Sequence, residues 1–306
     1  MAKKWMTFVA ALFAALVAQA QSQTTTKTND FVSFDNIEVS DDFEVTYQVS
    51  DAYKVVWTYD TVLSDLISVY VTGQTLYVDF NRKGMSSELK KTYTGRKAPK
   101  PVLKATVYAP FFSGLTLNDN AVFNGNGGHI DPARFTLVMT GKAKLSDLIV
   151  DADVCSVTAG KDANATLTVN AEEISIKTEK SALVNMVLQS DRLNIDASGS
   201  SAISLTGDTG DIVSTSQNSA KVSMNGSAET IRHDGKGTSE LDLISAPLQT
   251  ADLVMANASK IYVNVYDTLK VDLKGNSSVI FDGKPQIEVV NIISSTLMHY
   301  TGSKRR

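Results

Sequence analysis

Residues 81–100, NRKGMSSELKKTYTGRKAPK, hold seven basic side chains against one acidic one, Glu88, in a 306-residue chain whose formal net charge is −4. A run of this kind reads first as a solvated loop. Its chemical reading is a local positive patch that captures an anionic partner, such as a lipopolysaccharide phosphate or an acidic glycan. The candidate ligand-binding residues are Arg82, Lys83, Lys90, Lys91, Tyr93, Arg96 and Lys97. Trp57, Tyr59, Tyr70 and Tyr77, on nearby strand-like segments, would either add stacking surface for sugars or belong to the core.

Other reactive residue types are sparse. Asp208 and Asp211, in GDTGD, are the pair that a polysaccharide-cleaving site would use, since such a site gathers carboxylates on adjacent chain segments. The neighbouring sequence does not repeat the pair in register, so both are read as solvated turn residues. Ser198–Ser201 lacks the Gly-x-Ser-x-Gly arrangement that exposes a nucleophilic serine, and is read as a corner. His129, His233 and His299 have no companions at ligand spacing, so no metal site, catalytic residue or cofactor is assigned. His233 is expected to face inward among polar neighbours. The single cysteine, Cys155, excludes an intramolecular disulfide and reads as a small buried residue.

What must position these residues is a repeat. A small or polar residue followed by apolar residues two and four positions later occurs at Ala163, Ala182, Ser201, Ala220, Ser239, Ser259 and Ser277, with weaker copies at Asn120, Ala143 and Ser295. The spacings from Asn120 onward are 23, 20, 19, 19, 19, 19, 20, 18 and 18 residues. Apolar residues also stand eight and six positions before most of these anchors, as in Cys155 and Val157 or Leu193 and Ile195. Two period-two segments per unit are half-buried strands, and helical spacing is missing. The expected fold is all-β: a parallel β-helix (β-solenoid) of about nineteen residues per coil. Its expected hand is right, as for most parallel crossovers.

The preceding segments are longer and richer in aromatics, among them KVVWTY (54–59), LYVDF (76–80) and LKATVY (103–108). Residues 34–115 are therefore read as a β-rich N-terminal portion that pairs with or caps the first coils, and 116–302 as the solenoid repeats. The pattern Phe34-x-x-Ile37-x-Val39, Phe43-x-Val45, Leu76–Phe80, then Leu103–Pro110 leading to Leu115–Ala121, resembles the exported head GIN domain family, a family of conjectured autotransporter adhesins common in Bacteroidetes. The resemblance covers about residues 34–300. It implies an exported β-helical protein without a catalytic fingerprint. Nothing after residue 302 resembles a translocator or sorting domain.

At the N-terminus, Lys3 and Lys4, an apolar run from Trp5 to Val17, and Ala18-Gln19-Ala20 form an export signal cleaved after Ala20, followed by a flexible lead-in over 21–33. The expected location is the periplasm, the cell surface or the medium. Net charge disfavours nucleic acid as a partner, and no segment is read as a membrane span. The functional expectation is a non-enzymatic, adhesin-like or glycan-binding module whose partner is a glycan or an anionic cell-surface ligand, with homo-oligomers formed by stacked coil ends. The alternative is a carbohydrate-active enzyme on the same scaffold.

Overall fold

The structure, a computed structural model, describes residues 23–96 and 98–300; the leader and Lys97 lie outside the described residues. With 67% strand and 6% helix it is an all-β protein, a β-solenoid of about ten turns with successive coils about nineteen residues apart. The strand Ala202–Ser216 shows why this sequence makes a rung. Ile203 and Leu205 are buried while Ser204 and Thr206 are exposed, as alternate side chains of a strand must be. At Asp191 and Gly210 the ladder skips a residue and the alternation slips by one, so Ile212, Ser214 and Ser216 again point inward from the opposite face. Rungs stack parallel and in register: Val184, Ile203 and Val222 form one inward column, and Leu193, Ile212 and Ile231 another.

Each rung ends in a tight turn that opens with a residue in the left-handed region. These residues are Asp41, Asp119, Gly141, Lys161, Lys180, Gly199, Asn218, Gly237, Asn257 and Gly275. Gly, Asn and Asp tolerate that conformation best, which is why polar and small residues punctuate the repeat. The turns stack as closely as the strands. Ser200 N–H donates to Lys180 O at 2.6 Å, Ser219 to Gly199 at 2.8 Å and Thr238 to Asn218 at 2.6 Å.

The N-terminal strands join the ladder directly. Ile37 pairs in parallel with both Leu76 and Leu115, and Val45 with both Ala105 and Phe123. Asn36–Val39 and Glu44–Val49 therefore form a rung of the same parallel ladder, with its own left-handed corner at Asp41. The long step from Asp41 to the next corner, Asp119, contains an inserted cap. Thr75–Phe80 and Leu103–Ala109 extend the two faces by one rung. Ile67–Thr72 and Lys54–Asp60 then pair antiparallel outside them, and Leu63, between these two strands, is fully buried. Of the expected lead-in, Thr24–Asp30 form a strand antiparallel to Lys54–Asp60. Aromatic packing closes this end: the Tyr47 and Phe112 rings meet edge to face at 5.0 Å, and Tyr47 Oη donates to Ala109 O at 2.8 Å.

Further along, the interior becomes partly polar. Ser201 is buried and its hydroxyl pairs with Thr178 at 2.8 Å, while Ser190 pairs with Thr209 at 2.8 Å. His233 is buried, with Nε2 3.2 Å from Ser216 Oγ; its Nδ1, Ser214 Oγ and Ser239 Oγ have no partner among the described residues. Burial pushes the His233 imidazole down to about 4. Cys155 is buried as well, and burial pushes its thiol up to about 12, which leaves it inert.

A Cβ on Gly199 would lie 2.7 Å from the Lys180 backbone in addition to straining its φ of 76°. Gly199→Ala should therefore cost about 1–3 kcal/mol in urea unfolding, while Ser200→Ala next to it should be within about 0.5 kcal/mol of wild type. For His233, the unfolded chain takes up a proton near pH 6.5 while the folded chain resists until about pH 4. Its contribution is complete above pH 6.5 and is lost as pH falls toward 4, by on the order of 3 kcal/mol. The unfolding free energy of His233→Leu, followed over the same range, should lack that part of the acid dependence.

Candidate functional site

The basic insertion is folded rather than loose. A 3-10 turn at Arg82–Gly84 leads into the helix Ser87–Tyr93, whose N-cap hydroxyl, Ser86 Oγ, accepts from Leu89 N–H. Three contacts dock it: Met85 is buried, Arg82 pairs with Asp42 at 2.6 Å, and Tyr93 Oη donates to the buried Asp60 carboxylate at 2.9 Å. The insertion thereby lies over the left-handed corners of the first three rungs, where the solenoid contributes Asp41, Asp42, Asp119, Asn120, Lys142 and Lys144.

Two adjoining clefts result. The first, about 490 Å³, is lined by Arg82, Tyr93, Arg96, Lys100, Lys142 and Lys144, with Asp42 and Glu44 at its wall. The second, about 550 Å³, takes Arg82, Lys83, Lys90 and Lys142, with Asp41 and Asp119. Of the seven candidates from the sequence, the structure brings Arg82, Lys83, Lys90, Tyr93 and Arg96 together around these clefts, leaves Lys91 outside both, and does not describe Lys97. Tyr93 lines the wall with its hydroxyl committed to Asp60, so its role is to hold the insertion down. Sequence reading missed Lys142 and Lys144. Their signal is register: Glu44, Val122 and Lys144 stand in one column, and Lys142 occupies the corner above Asn120.

Carboxylates crowd beneath the basic rim. Asp41 is raised to about 6, first by partial burial and then by Asp119, Asp42 and Asp79, with Arg82 pulling the other way. Of the four strand aromatics named from the sequence, Trp57 and Tyr59 are buried and belong to the core, the second of their two readings. Tyr70 stacks on Tyr77 at 5.1 Å and is 45% exposed, so of those four this pair offers an open ring.

A second groove, about 640 Å³, runs along the opposite edge of the rungs, where the ladder skips. Glu172, Asp191, Asp208 and Glu229 line it, all exposed, with no basic side chain among the lining residues. This line of carboxylates was not evident from the sequence, because Glu172, Asp191 and Glu229 occupy the skipped position of their rungs while Asp208 stands two residues before it, in a rung whose skipped residue is Gly210. Asp208 faces it, hydrogen-bonded to Ser227 at 2.6 Å, whereas Asp211 bonds Thr230 at 2.6 Å and lines a different surface. The Asp208 and Asp211 pair is thus split. His129 pairs with Asp151 at 2.8 Å and His299 with Gly283 O at 3.1 Å, well apart from the basic clefts.

The crowding at Asp41 makes a prediction of defined sign. Its folded value lies above its unfolded one, so the folded state loses stability as pH rises from about 4 to 6. Asp41→Asn, which suits the same left-handed backbone, should raise the melting midpoint by roughly 2 °C at pH 8 and leave it unchanged at pH 4.

No curated protein matches the chain. Among solved structures it is similar to a putative adhesin from Parabacteroides distasonis ATCC 8503, at 15% identity and a TM-score of 0.52, over 92% of this chain and 98% of that one. It is similar to the same degree to a putative adhesin from Parabacteroides merdae ATCC 43184, at 14% identity, a TM-score of 0.52 and the same coverage. At these identities the likeness shows a shared fold. The family match is broader evidence: residues 33–211 and, overlapping them, 161–285 fit one family, and the chain belongs to the family described as putative auto-transporter adhesin, head GIN domain.

Proposed function

We propose that this protein is an exported, non-enzymatic, adhesin-like solenoid that captures an anionic saccharide in the basic clefts at its capped end. The observation that carries the reading is the convergence of seven basic side chains, Arg82, Lys83, Lys90, Arg96, Lys100, Lys142 and Lys144, on two adjoining clefts of an acidic protein. Counter-charges from Asp41, Asp42, Glu44 and Asp119 are fewer, so a positive local field remains. Volumes of about 490 and 550 Å³ suit one or two sugar residues each. Guanidinium and ammonium groups on neighbouring elements would grip phosphate or carboxylate substituents, and Arg82, already oriented by Asp42, would offer its remaining donors. Export is supported by the leader-like residues 1–20 and by the adhesin description of the family. Among the described residues no helix is long and apolar enough to cross a membrane.

One observation favours a second reading. The line Glu172, Asp191, Asp208 and Glu229 in an open groove is the arrangement that a polysaccharide-cleaving solenoid would need. Its carboxylates have no Lys or Arg beside them among the lining residues, and it ranks below the adhesin reading.

A panel of phosphorylated, uronic-acid and neutral oligosaccharides separates the two. Titration calorimetry should show binding of the anionic members only, weakening with salt, and Lys142→Glu with Lys144→Glu should reduce affinity by roughly tenfold or more. Equal binding of neutral sugars, or binding untouched by the double variant, contradicts the anion reading. Release of shortened products, abolished by Asp191→Asn, would replace it with the enzymatic one.

A further inference from the structure

The two ends of the solenoid are built differently. At the capped end the outermost strand, Thr24–Asp30, is TTTKTND, its residues almost all exposed and polar, and the inserted hairpins have buried Leu63 and the aromatic cluster. At the other end the last strands are Gln286–Ile293, paired only with the preceding rung strand Lys260–Lys274, and Thr296–His299, paired only with Ser278–Asp282. Their outer edges have no partner among the described residues.

The inward columns continue into this last rung and stop there uncovered. Leu269, Val271 and Leu273 are 0% exposed, whereas Ile287, Val289 and Ile292, which stand next in the same columns, are 41%, 55% and 41% exposed. Val290, Ile293 and Met298 add 53%, 55% and 46%. These are core residues by position, and among the described residues no rung lies above them. An end of this kind leaves both apolar side chains and backbone hydrogen-bonding groups open, the combination that drives strand-to-strand association.

We infer that this end is a dimer interface, closed by the same end of a second copy of this chain. The alternative of head-to-tail stacking would press it against the polar, hairpin-covered end, which has no matching apolar columns. A tail-to-tail two-fold meets every requirement with one surface. The two faces of a rung run in opposite directions, and a two-fold across the solenoid axis sets each open edge antiparallel to an edge of the partner. Centring the pairing between Val289 and Val290 places Glu288, the charged residue of its strand, opposite the Asn291 of the other copy, so no like charges meet. Size is adequate as well. A strand of eight residues spans about 26 Å, and two sheets about 10 Å apart with their side chains are about 20 Å thick. Such an end face covers about 500 Å² per copy, or about 1,000 Å² in all, the lower bound of a specific interface.

Sedimentation equilibrium of the chain without residues 1–20 tests this. The expected result is a monomer–dimer equilibrium that is mostly dimer by about 50 µM. Val289→Lys with Ile292→Lys should be monomeric at that concentration with an intact far-UV spectrum, while Val62→Lys at the capped end should leave the dimer unchanged. Independently of any folding defect in the lysine variant, Val290→Cys with Cys155→Ser should form a covalent dimer on mild oxidation. A wild-type monomer at about 100 µM, open-ended growth beyond the dimer, or a dimer that Val290→Cys fails to cross-link each overturns the inference.

Discussion

Everything in this molecule depends on one recurring backbone event, the left-handed residue that turns each rung into the next. From Asp41 to Gly275 the same corner is occupied by Gly, Asn, Asp or, at two places, Lys, and the turns from Lys142 to Thr238 each hydrogen-bond to the turn beneath. The corner is what fixes register. With period-two side chains, a slip of one residue would send Ile203 and Leu205 to solvent and bring Ser204 and Thr206 inside. Apolar columns supply most of the favourable free energy, but those columns exist only because the corners bring successive units back in phase.

The candidate binding site follows from a departure from that regularity. Between the first corner and the second the chain leaves the solenoid, builds a cap from antiparallel hairpins, and lays a short basic helix back over the corners it skipped. A solenoid needs some device at its ends, and here the device that closes one end also supplies the charged walls of the clefts. The insertion brings Arg82, Lys83, Lys90 and Arg96; the rigid corners bring Lys142 and Lys144. Placing two of the seven charges, Lys142 and Lys144, at a stacked corner gives the cleft a framework that a loop by itself would lack.

Much of this was legible in the residues. The repeat length, the inward positions from Cys155 to Phe281 and the corner role of Ser198–Ser201 follow from alternation and small-residue spacing, and the basic segment stood out by charge. Three things did not follow. The first rung was hidden because a long insertion separates its corner from the next one, so no nineteen-residue interval marks it. Lys142 and Lys144 look like ordinary turn residues until the register sets them beside the insertion. The carboxylate groove was hidden because Glu172 and Asp191 occupy the skipped position of their ladders, where a period-two reading loses its phase. Trp57 and Tyr59 were ambiguous for a related reason: alternation puts them on one face without saying which face is covered.

The claim that stacked corners hold the register is tested most directly by native-state hydrogen exchange. The turn amides of Ser200, Ser219 and Thr238 donate across rungs at 2.6, 2.8 and 2.6 Å. The account predicts that they exchange as slowly as the strand amides of Ile203 and Val222, by opening of the whole solenoid. Turn amides exchanging at the rate of open loops, while the strands stay protected, would mean that the corners merely connect rungs held by their side chains alone, and would contradict it.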